Sequence, residues 1–269
     1  MKVWLIGAGP GDPELMTRKA WRLLSQADVV MHDALMDVEG MKEAAPEAKW
    51  VEVGKRNGQA SVEQAFICRA LVGFAKQGLR VVRLKGGDPT IFGRVTEEIE
   101  ICRANNIEIE IIPGVTAACA AAADLQTSLT LRGVSRSVVF ATPRVGRRES
   151  TQNQEWLGAC LAAETAVLYM AGAQAAEICA TLIKAGRSGV TPICIVESAS
   201  RSTGIRMKST LADIARDGLP TLTGPVSLLI GQALGLAQLD DQSARAPLAS
   251  AVSPDTTIDP QKACDLAFG

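Results

Sequence analysis

The alternation of short apolar runs with longer amphipathic segments is the feature that most constrains this chain. Five runs in the first half are strand candidates and three intervening segments are helix candidates: strands at 2–7, 28–32, 49–53, 80–84 and 108–112, helices near 13–26, 61–77 and 94–105. Strand, helix and strand at this spacing predict βαβ units, and therefore a parallel five-stranded sheet. Ligands of such sheets bind beyond the carboxyl ends of the strands, so we expect the site there.

The pattern changes after Pro113-Gly114. An alanine-rich helix at 115–125 is followed by further candidates: strands at 137–141, 165–170, 191–196, 205–209 and 226–230, helices near 173–185 and 209–217. The run 192–211 reads as two strands joined by a short polar connection, which predicts a mixed sheet. We therefore predict two α/β domains, 1–113 and 114–238, with the active site in the trough between them. Residues 239–269 lack periodicity and are expected to form a mobile tail.

Composition excludes several classes of function. Lys and Arg number 28 against 29 Asp and Glu, so the near-zero net charge argues against a general nucleic-acid or membrane-surface binder. The seven cysteines form no Cys-x-x-Cys pair, and most of them are expected to be small buried residues of a cytoplasmic protein. With His32 as the single histidine, we expect no metal site and no Ser-His-Asp triad.

Two glycine-rich loops that follow strand candidates are the main functional signal. They read GAGPGDPELMT at 7–17 and KGGDPTIFGR at 85–94, and both contain Gly-Asp-Pro. A dinucleotide loop starting at Gly7 would need glycine at position 12, where Asp12 stands. A carboxylate ~4 Å from a phosphate would cost on the order of 4 kcal/mol at an effective dielectric of 20. Asp12-Pro13 is also typical of a helix start, but that role leaves the preceding glycines unexplained.

Bare backbone beside a carboxylate suits a nucleoside that has no phosphate and carries a positive charge. Exposed N–H and C=O groups match adenine edges and ribose hydroxyls, and the carboxylate tolerates a cation. S-adenosylmethionine is a ligand of this kind.

Longer motifs carry a resemblance to a known family. The segments VWLIGAGPGDPELMTRKA, VGKR, VVRLKGGDPTIFGR with EE soon after, IIPGVTAACAAAA and LYM occur in this order. Over about residues 1–235 the chain resembles the tetrapyrrole methylases. The resemblance implies the class III methyltransferase fold of two α/β domains, usually as a homodimer. It also implies transfer of two methyl groups from S-adenosylmethionine to C2 and C7 of uroporphyrinogen III, giving precorrin-2 for siroheme or cobalamin.

The resemblance also assigns site residues. Those implied to bind S-adenosylmethionine are Pro10, Gly86, Gly87, Asp88, Ile91, Thr116, Ala117, Met170 and Ala199. Asp33 is implied to accept a proton and Lys55 to donate one. The alternatives are that Asp33 only caps the helix that follows, and that Lys55 only pairs with a substrate carboxylate.

Uroporphyrinogen III has eight carboxylates, so a local cluster of cations is expected. The stretch from Leu125 to Arg148 has no acidic residue and five arginines: Arg132, Arg136, Arg144, Arg147 and Arg148. Arginine binds carboxylates through two parallel hydrogen bonds, although such a run is equally typical of a solvated face. The resemblance implies substrate binding by Arg94, Arg132 and Arg56.

The chain departs from the family pattern on the expected substrate side, at His32, Thr90, Val95, Leu131 and Arg144. They put the exact substrate and the rate in doubt, and three alternatives stay open. The chain could methylate a later corrin precursor or another substrate; it could be a nicotinamide dehydrogenase, against which Asp12 argues; or it could be a binding protein that has lost its activity.

Overall fold

A computed structural model of the chain describes residues 1–33, 36, 38–53, 64–143 and 155–239. Several residues predicted from the sequence to be functional lie outside these ranges: Lys55, Arg56, Arg144, Arg147 and Arg148. The predicted tail also lies outside them, apart from Leu239. Among the residues described, no helix combines the length and the apolar character needed to cross a bilayer.

The first half forms a five-stranded sheet in the order β3-β2-β4-β1-β5, and every pair of neighbours is parallel. Its strands are β1 Lys2–Gly7, β2 Val29–His32, β3 Lys49–Glu52, β4 Val81–Lys85 and β5 Glu108–Ile112. All residues of β2 and β4 are buried, as expected for a parallel sheet covered on both faces. The predicted parallel sheet is confirmed.

Helices cover both faces of this sheet. They are α1 Arg18–Leu24, α2 Glu39–Lys42, α3 Gln64–Lys76 and α4 Val95–Ala104. The single helix predicted near 13–26 is wrong in one respect, because a 3-10 helix at Pro13–Leu15 precedes α1 as a separate element. Asp12 accepts a hydrogen bond from Glu14 N and Thr17 accepts one from Ala20 N. Two competing N-caps in one segment therefore divide it.

The second sheet has the order β6-β7-β10-β8-β9. Only β6 and β7 pair in parallel within it, so the predicted mixed sheet is confirmed. Its strands are β6 Val138–Ala141, β7 Thr165–Tyr169, β8 Pro192–Glu197, β9 Ile205–Thr210 and β10 Val226–Gly231. The helices are α5 Ala117–Asp124, α6 Glu155–Ala162, α7 Ala175–Lys184 and α8 Leu211–Asp217, with 3-10 turns at Gly172–Gln174 and Gln232–Leu236. The short helices α2 and α6 were not predicted.

Helix α5 follows Pro113-Gly114 and packs on the second sheet. Its buried Ala118 and Ala121 share a core with Val167 of β7 and Val196 of β8. Alanine side chains let the helix backbone lie close to the strands. The chain therefore changes sheets between Ile112 and Ala117, and the domain division at Pro113 stays a prediction.

Candidate active site

Three loops meet at glycines beyond the carboxyl ends of β1, β4 and β5. A Cβ atom added to Gly114 would lie 2.3 Å from the Gly87 carbonyl oxygen and 2.9 Å from Gly7 Cα. A Cβ added to Gly7 would lie 2.6 Å from Gly114 N. Contacts this short exclude a side chain, so glycine is required wherever the backbones touch. We call Gly7, Gly87 and Gly114 the glycine junction.

Backbone hydrogen bonds fix the first two loops to each other. Gly87 N donates to Gly9 O at 2.7 Å, and Gly9 N donates to Gly87 O at 3.2 Å. Gly9 has a φ of 75° and Gly87 a φ of 68°, a left-handed conformation that favours glycine. The two Gly-Asp-Pro loops therefore form one surface.

Asp88 ties the second loop to the third. Its Oδ1 accepts hydrogen bonds from Thr90 N at 2.8 Å and Thr90 Oγ1 at 2.5 Å, and its Oδ2 accepts one from Gly114 N at 3.0 Å. Burial alone would raise the pKa of Asp88, but these hydrogen bonds outweigh burial and lower it. The carboxylate therefore stays ionised, which keeps this surface unfavourable for a phosphate.

The second sheet reaches this surface through Tyr169 at the end of β7. The Tyr169 hydroxyl lies 2.5 Å from Thr116 Oγ1 and accepts a hydrogen bond from Ala118 N at 3.2 Å. Its ring lies 5.2 Å from the ring of Phe92 in the second loop. Burial raises the pKa of Tyr169, so the phenol is neutral near pH 7. Two apolar side chains next to this contact are exposed to solvent, Phe92 by 41% and Met170 by 48%.

The loop after β8 contacts the first loop directly. Asp12 N donates a hydrogen bond to Ser200 Oγ at 3.0 Å. Ser200 N in turn donates to Asp124 Oδ2 at 2.8 Å, and the same oxygen pairs with Arg206 at 3.1 Å. These bonds hold Ala199 beside the first glycine-rich loop.

Strained backbone is concentrated in these loops. Non-glycine residues with positive φ include Phe92 at 53°, Arg94 at 54°, Met170 at 56°, Ser198 at 52° and Ser200 at 68°. Such conformations cost of order 1–3 kcal/mol each and persist where the surroundings enforce them, which is common at ligand sites. The strain therefore supports a binding function for the cleft.

Asp33 follows β2 at the same edge of the sheet and contacts a cluster of buried charged side chains. Its Oδ1 accepts a hydrogen bond from Arg83 at 2.5 Å, and Arg83 also donates to Glu98 at 3.1 Å. Glu98 accepts two further bonds from Lys85, each 3.1 Å long. Burial opposes the charge of Arg83, but Asp33 and Glu98 outweigh it and raise the Arg83 pKa. Burial and then Arg83 lower the pKa of Lys85.

The structure brings together the loops that contain every residue predicted to bind S-adenosylmethionine: Pro10, Gly86, Gly87, Asp88, Ile91, Thr116, Ala117, Met170 and Ala199. Arg94 precedes α4 and pairs with Glu97 at 2.7 Å, with 63% of its side chain exposed. Arg132 lies on the exposed turn between Leu131 and Ser135. Contacts among the described residues do not connect Arg132 with the cleft, so its role stays a prediction.

The sequence did not single out Arg83, Lys85, Glu98 or Tyr169. A signal for the first two was present, because charged side chains inside an apolar strand of a parallel sheet must be buried and paired. Tyr169 lies in the LYM motif, but its hydrogen bonds to the start of α5 follow only from its tertiary contacts. The described residues contain no group of three or more side chains placed to hold a metal ion.

Comparisons with known proteins agree with this geometry. Residues 2–215 match the family model of the tetrapyrrole (corrin/porphyrin) methylases. The chain is 40% identical over 239 residues to a uroporphyrinogen-III C-methyltransferase of Cyanidium caldarium, which covers 88% of this chain and 95% of that protein. It is 43% identical over 232 residues to the Pseudomonas aeruginosa protein of that name, covering 86% and 93%.

A solved structure shows the same likeness. The uroporphyrin-III C-methyl transferase of Thermus thermophilus complexed with S-adenyl homocysteine superposes with a TM-score of 0.76 at 33% identity. The match covers 88% of this chain and 100% of that one.

Proposed function

We propose that this chain, which belongs to the tetrapyrrole (corrin/porphyrin) methylases, transfers methyl groups from S-adenosylmethionine to carbon atoms of uroporphyrinogen III. The observation that carries the proposal is the meeting of the glycine junction and Asp33 at one carboxyl edge of the parallel sheet. The two methylated positions are C2 and C7, and the product is precorrin-2.

The residues at the junction suit S-adenosylmethionine. Gly86 is exposed and Gly87 and Gly114 are partly exposed, so their backbone groups are accessible to adenine and ribose. The exposed Phe92 and Met170 offer apolar surface to a flat base. The ionised Asp88 disfavours phosphate and tolerates a sulfonium. When bound, S-adenosylmethionine supplies an electrophilic methyl group.

Asp33 is placed to assist the carbon that accepts this methyl. Methylation of a pyrrole carbon makes the ring a cationic iminium, and the ring N–H proton must then leave. A carboxylate stabilises that cation and can accept the proton directly or through water. Within the described residues the Asp33 carboxylate binds Arg83, and α2 begins after Val38 without a side-chain cap. This arrangement favours the proton-acceptor role over the helix-cap alternative.

Arginine side chains suit the carboxylates of the substrate. Arg94 is exposed at the start of α4, where its pairing with Glu97 can be exchanged for a substrate carboxylate. A guanidinium has donors only and binds carboxylates through two parallel hydrogen bonds, so we assign Arg94 the role of an anchor for the substrate. Arg132 and Arg56 are proposed to bind other carboxylates, and Lys55 to donate a proton. We further propose that the chain acts in the cytoplasm as a homodimer.

Turnover with uroporphyrinogen III is the direct test. The protein is incubated anaerobically with this substrate and labelled S-adenosylmethionine, and the product is analysed by mass spectrometry. We expect two added methyl groups and two equivalents of S-adenosylhomocysteine. Methylation of a later corrin precursor, with none of uroporphyrinogen III, would establish the alternative substrate. Absence of transfer to either would overturn the proposal.

A further inference from the structure

Buried charge lies beneath the carboxyl edge of the parallel sheet. Arg83 and Lys85 on β4 are 2% and 4% exposed, and Glu98 on α4 is fully buried. Removing charges from water is costly, and pairing them restores the lost stability only when the geometry is good. Such a cluster therefore contributes little to the free energy of folding, and its position beside the cleft indicates a functional role.

Arg83 is fixed from several directions at once. Its Nε donates to Glu98 Oε1 at 3.1 Å and its NH1 to the Leu84 carbonyl oxygen at 3.0 Å. The NH1 group also lies 3.4 Å from the Met31 carbonyl oxygen. The third nitrogen, NH2, donates to Asp33 Oδ1 at 2.5 Å. Each nitrogen of the rigid guanidinium plane therefore has a partner, a geometry that the single ammonium of lysine does not reproduce.

Glu98 fixes Arg83 from the side of the helices. Its carboxylate accepts hydrogen bonds from Arg83 and Lys85 of β4 and from Gln64 Nε2 of α3 at 3.3 Å. Two basic side chains, Arg83 and Lys85, thus face two acidic ones, Asp33 and Glu98. The network thus extends from α3 and α4 through the sheet to the cleft.

We propose that Arg83 is a positioning residue for Asp33, held in place by Glu98 and Lys85. The inference rests on the proposed function, in which Asp33 accepts the pyrrole proton. Arg83 binds Oδ1, while the Asp33 side chain remains 36% exposed at the cleft edge. Arg83 contributes by holding the Asp33 carboxylate in one orientation relative to the reacting ring. Misplacing a catalytic group by about 1 Å can reduce the rate roughly 100-fold.

The sheet supplies a matched control. Arg80 pairs with Asp28 by hydrogen bonds of 3.1 Å from Nε and 2.6 Å from NH2. This pair also links the β2 and β4 segments of the chain, but at the opposite edge of the sheet and with Arg80 55% exposed. Residue types and neighbouring strands are the same in both pairs, which differ in burial and in their location relative to the cleft.

A double-mutant cycle tests the inference. We expect Arg83→Gln to lower kcat about 100-fold while the KM for uroporphyrinogen III and the affinity for S-adenosylhomocysteine change less than about threefold. In an Asp33→Asn background, the same change should lower kcat less than about threefold further, because its target is already lost. Arg80→Gln should leave kcat unaltered.

Additional variants keep the test decisive. If Arg83→Gln does not fold, Arg83→Lys retains the charge and should still lower kcat about tenfold, because the ammonium cannot hold Glu98 and Asp33 in the same geometry. Wild-type kcat in Arg83→Lys, or rate losses that multiply in the double variant, would overturn the inference while the proposed function stands. A wild-type protein that does not methylate uroporphyrinogen III would overturn both.

Discussion

The two sheets of this protein have five strands each but contribute differently to the cleft. In the parallel sheet every strand ends at the same edge, so the loops after β1, β2, β4 and β5 converge there. In the mixed sheet β10 is antiparallel to β7 and β8. The loops after β7 and β8 therefore lie at one edge of this sheet, and the loop after β10 lies at the other. The last residue of β7, Tyr169, accepts a hydrogen bond from Ala118 in α5, and Ser200 in the loop after β8 accepts one from Asp12 N.

The buried polar groups show the same difference. The parallel sheet buries Arg83 and Lys85 at its carboxyl edge, next to Asp33. In the mixed sheet the buried Glu197 binds residues of the same half of the chain. Its Oε1 accepts hydrogen bonds from Thr223 N at 2.6 Å and from Gly224 N. We infer that the parallel sheet carries the chemistry and that the mixed sheet completes the binding surface.

The largest effect is expected from Asp33→Asn in the parallel half. The amide is nearly isosteric but cannot stabilise a cation or accept the proton, so kcat should fall by about 100-fold or more. Binding of S-adenosylhomocysteine, measured by calorimetry, should remain within a few-fold of wild type. A variant with near-normal kcat would show that the base lies elsewhere.

The glycine junction should be the next most sensitive point. Gly114→Ala places a Cβ against Gly87 O and Gly7 Cα, so we expect a loss of about 3 kcal/mol in the free energy of unfolding and weak cofactor binding. Gly73→Ala in α3 is the control, because nothing lies within 4 Å of its added Cβ. That change should stabilise the protein by about 0.5–1 kcal/mol. Equal unfolding midpoints in urea for both variants would refute the close packing.

In the mixed half, Tyr169→Phe should affect binding more than chemistry. Loss of the hydroxyl leaves Thr116 Oγ1 and Ala118 N without this partner, so the start of α5 shifts and the affinity for S-adenosylhomocysteine should fall about tenfold, or about 1.4 kcal/mol. The kcat at saturating cofactor should stay within about threefold. Phe140→Leu removes a neighbouring ring but no hydroxyl, and it should alter the affinity less. A kcat loss as large as that of Asp33→Asn would contradict the proposed division.

The smallest effect is expected at the opposite edge of the parallel sheet. Hydrogen bonds from Arg80 lower the pKa of Asp28 to about 2, below its ordinary 3.8. A depressed pKa contributes stability that is present above pH 4 and is lost as the pH falls to about 2. Because the pair is exposed, Asp28→Asn should be slightly less stable than wild type at pH 6 and equal to it at pH 2, as measured by urea unfolding. If the difference in the free energy of unfolding between the two proteins is the same at pH 6 and at pH 2, the ion pair is not its cause.

Much of the fold followed from local patterns. The apolar runs gave the strands of both sheets to within a residue or two, because β-strand burial depends mainly on neighbouring apolar side chains. The helix near 13–26 was placed as one segment because the pattern does not show that Asp12 and Thr17 each cap a separate turn.

The site was less accessible from sequence. Gly-Asp-Pro loops indicate exposed backbone, but the meeting of Gly7 with Gly114 and of Asp12 with Ser200 depends on tertiary packing. Arg83 was treated as part of an ordinary strand and Lys85 as the start of the second glycine-rich loop, since periodicity alone does not reveal that a charge is buried and paired.

The glycine junction also constrains when binding becomes possible during folding. Its three members come from distant parts of the chain, the end of β1 and the loops after β4 and β5, and contacts of such sequence separation form slowly. No two of these segments make the complete surface, so we expect the protein to gain affinity for the cofactor only once β1, β4 and β5 have paired in the sheet. We therefore expect S-adenosylmethionine to bind the finished sheet and not its precursors, and to stabilise the assembled half by an amount that rises with the logarithm of its free concentration.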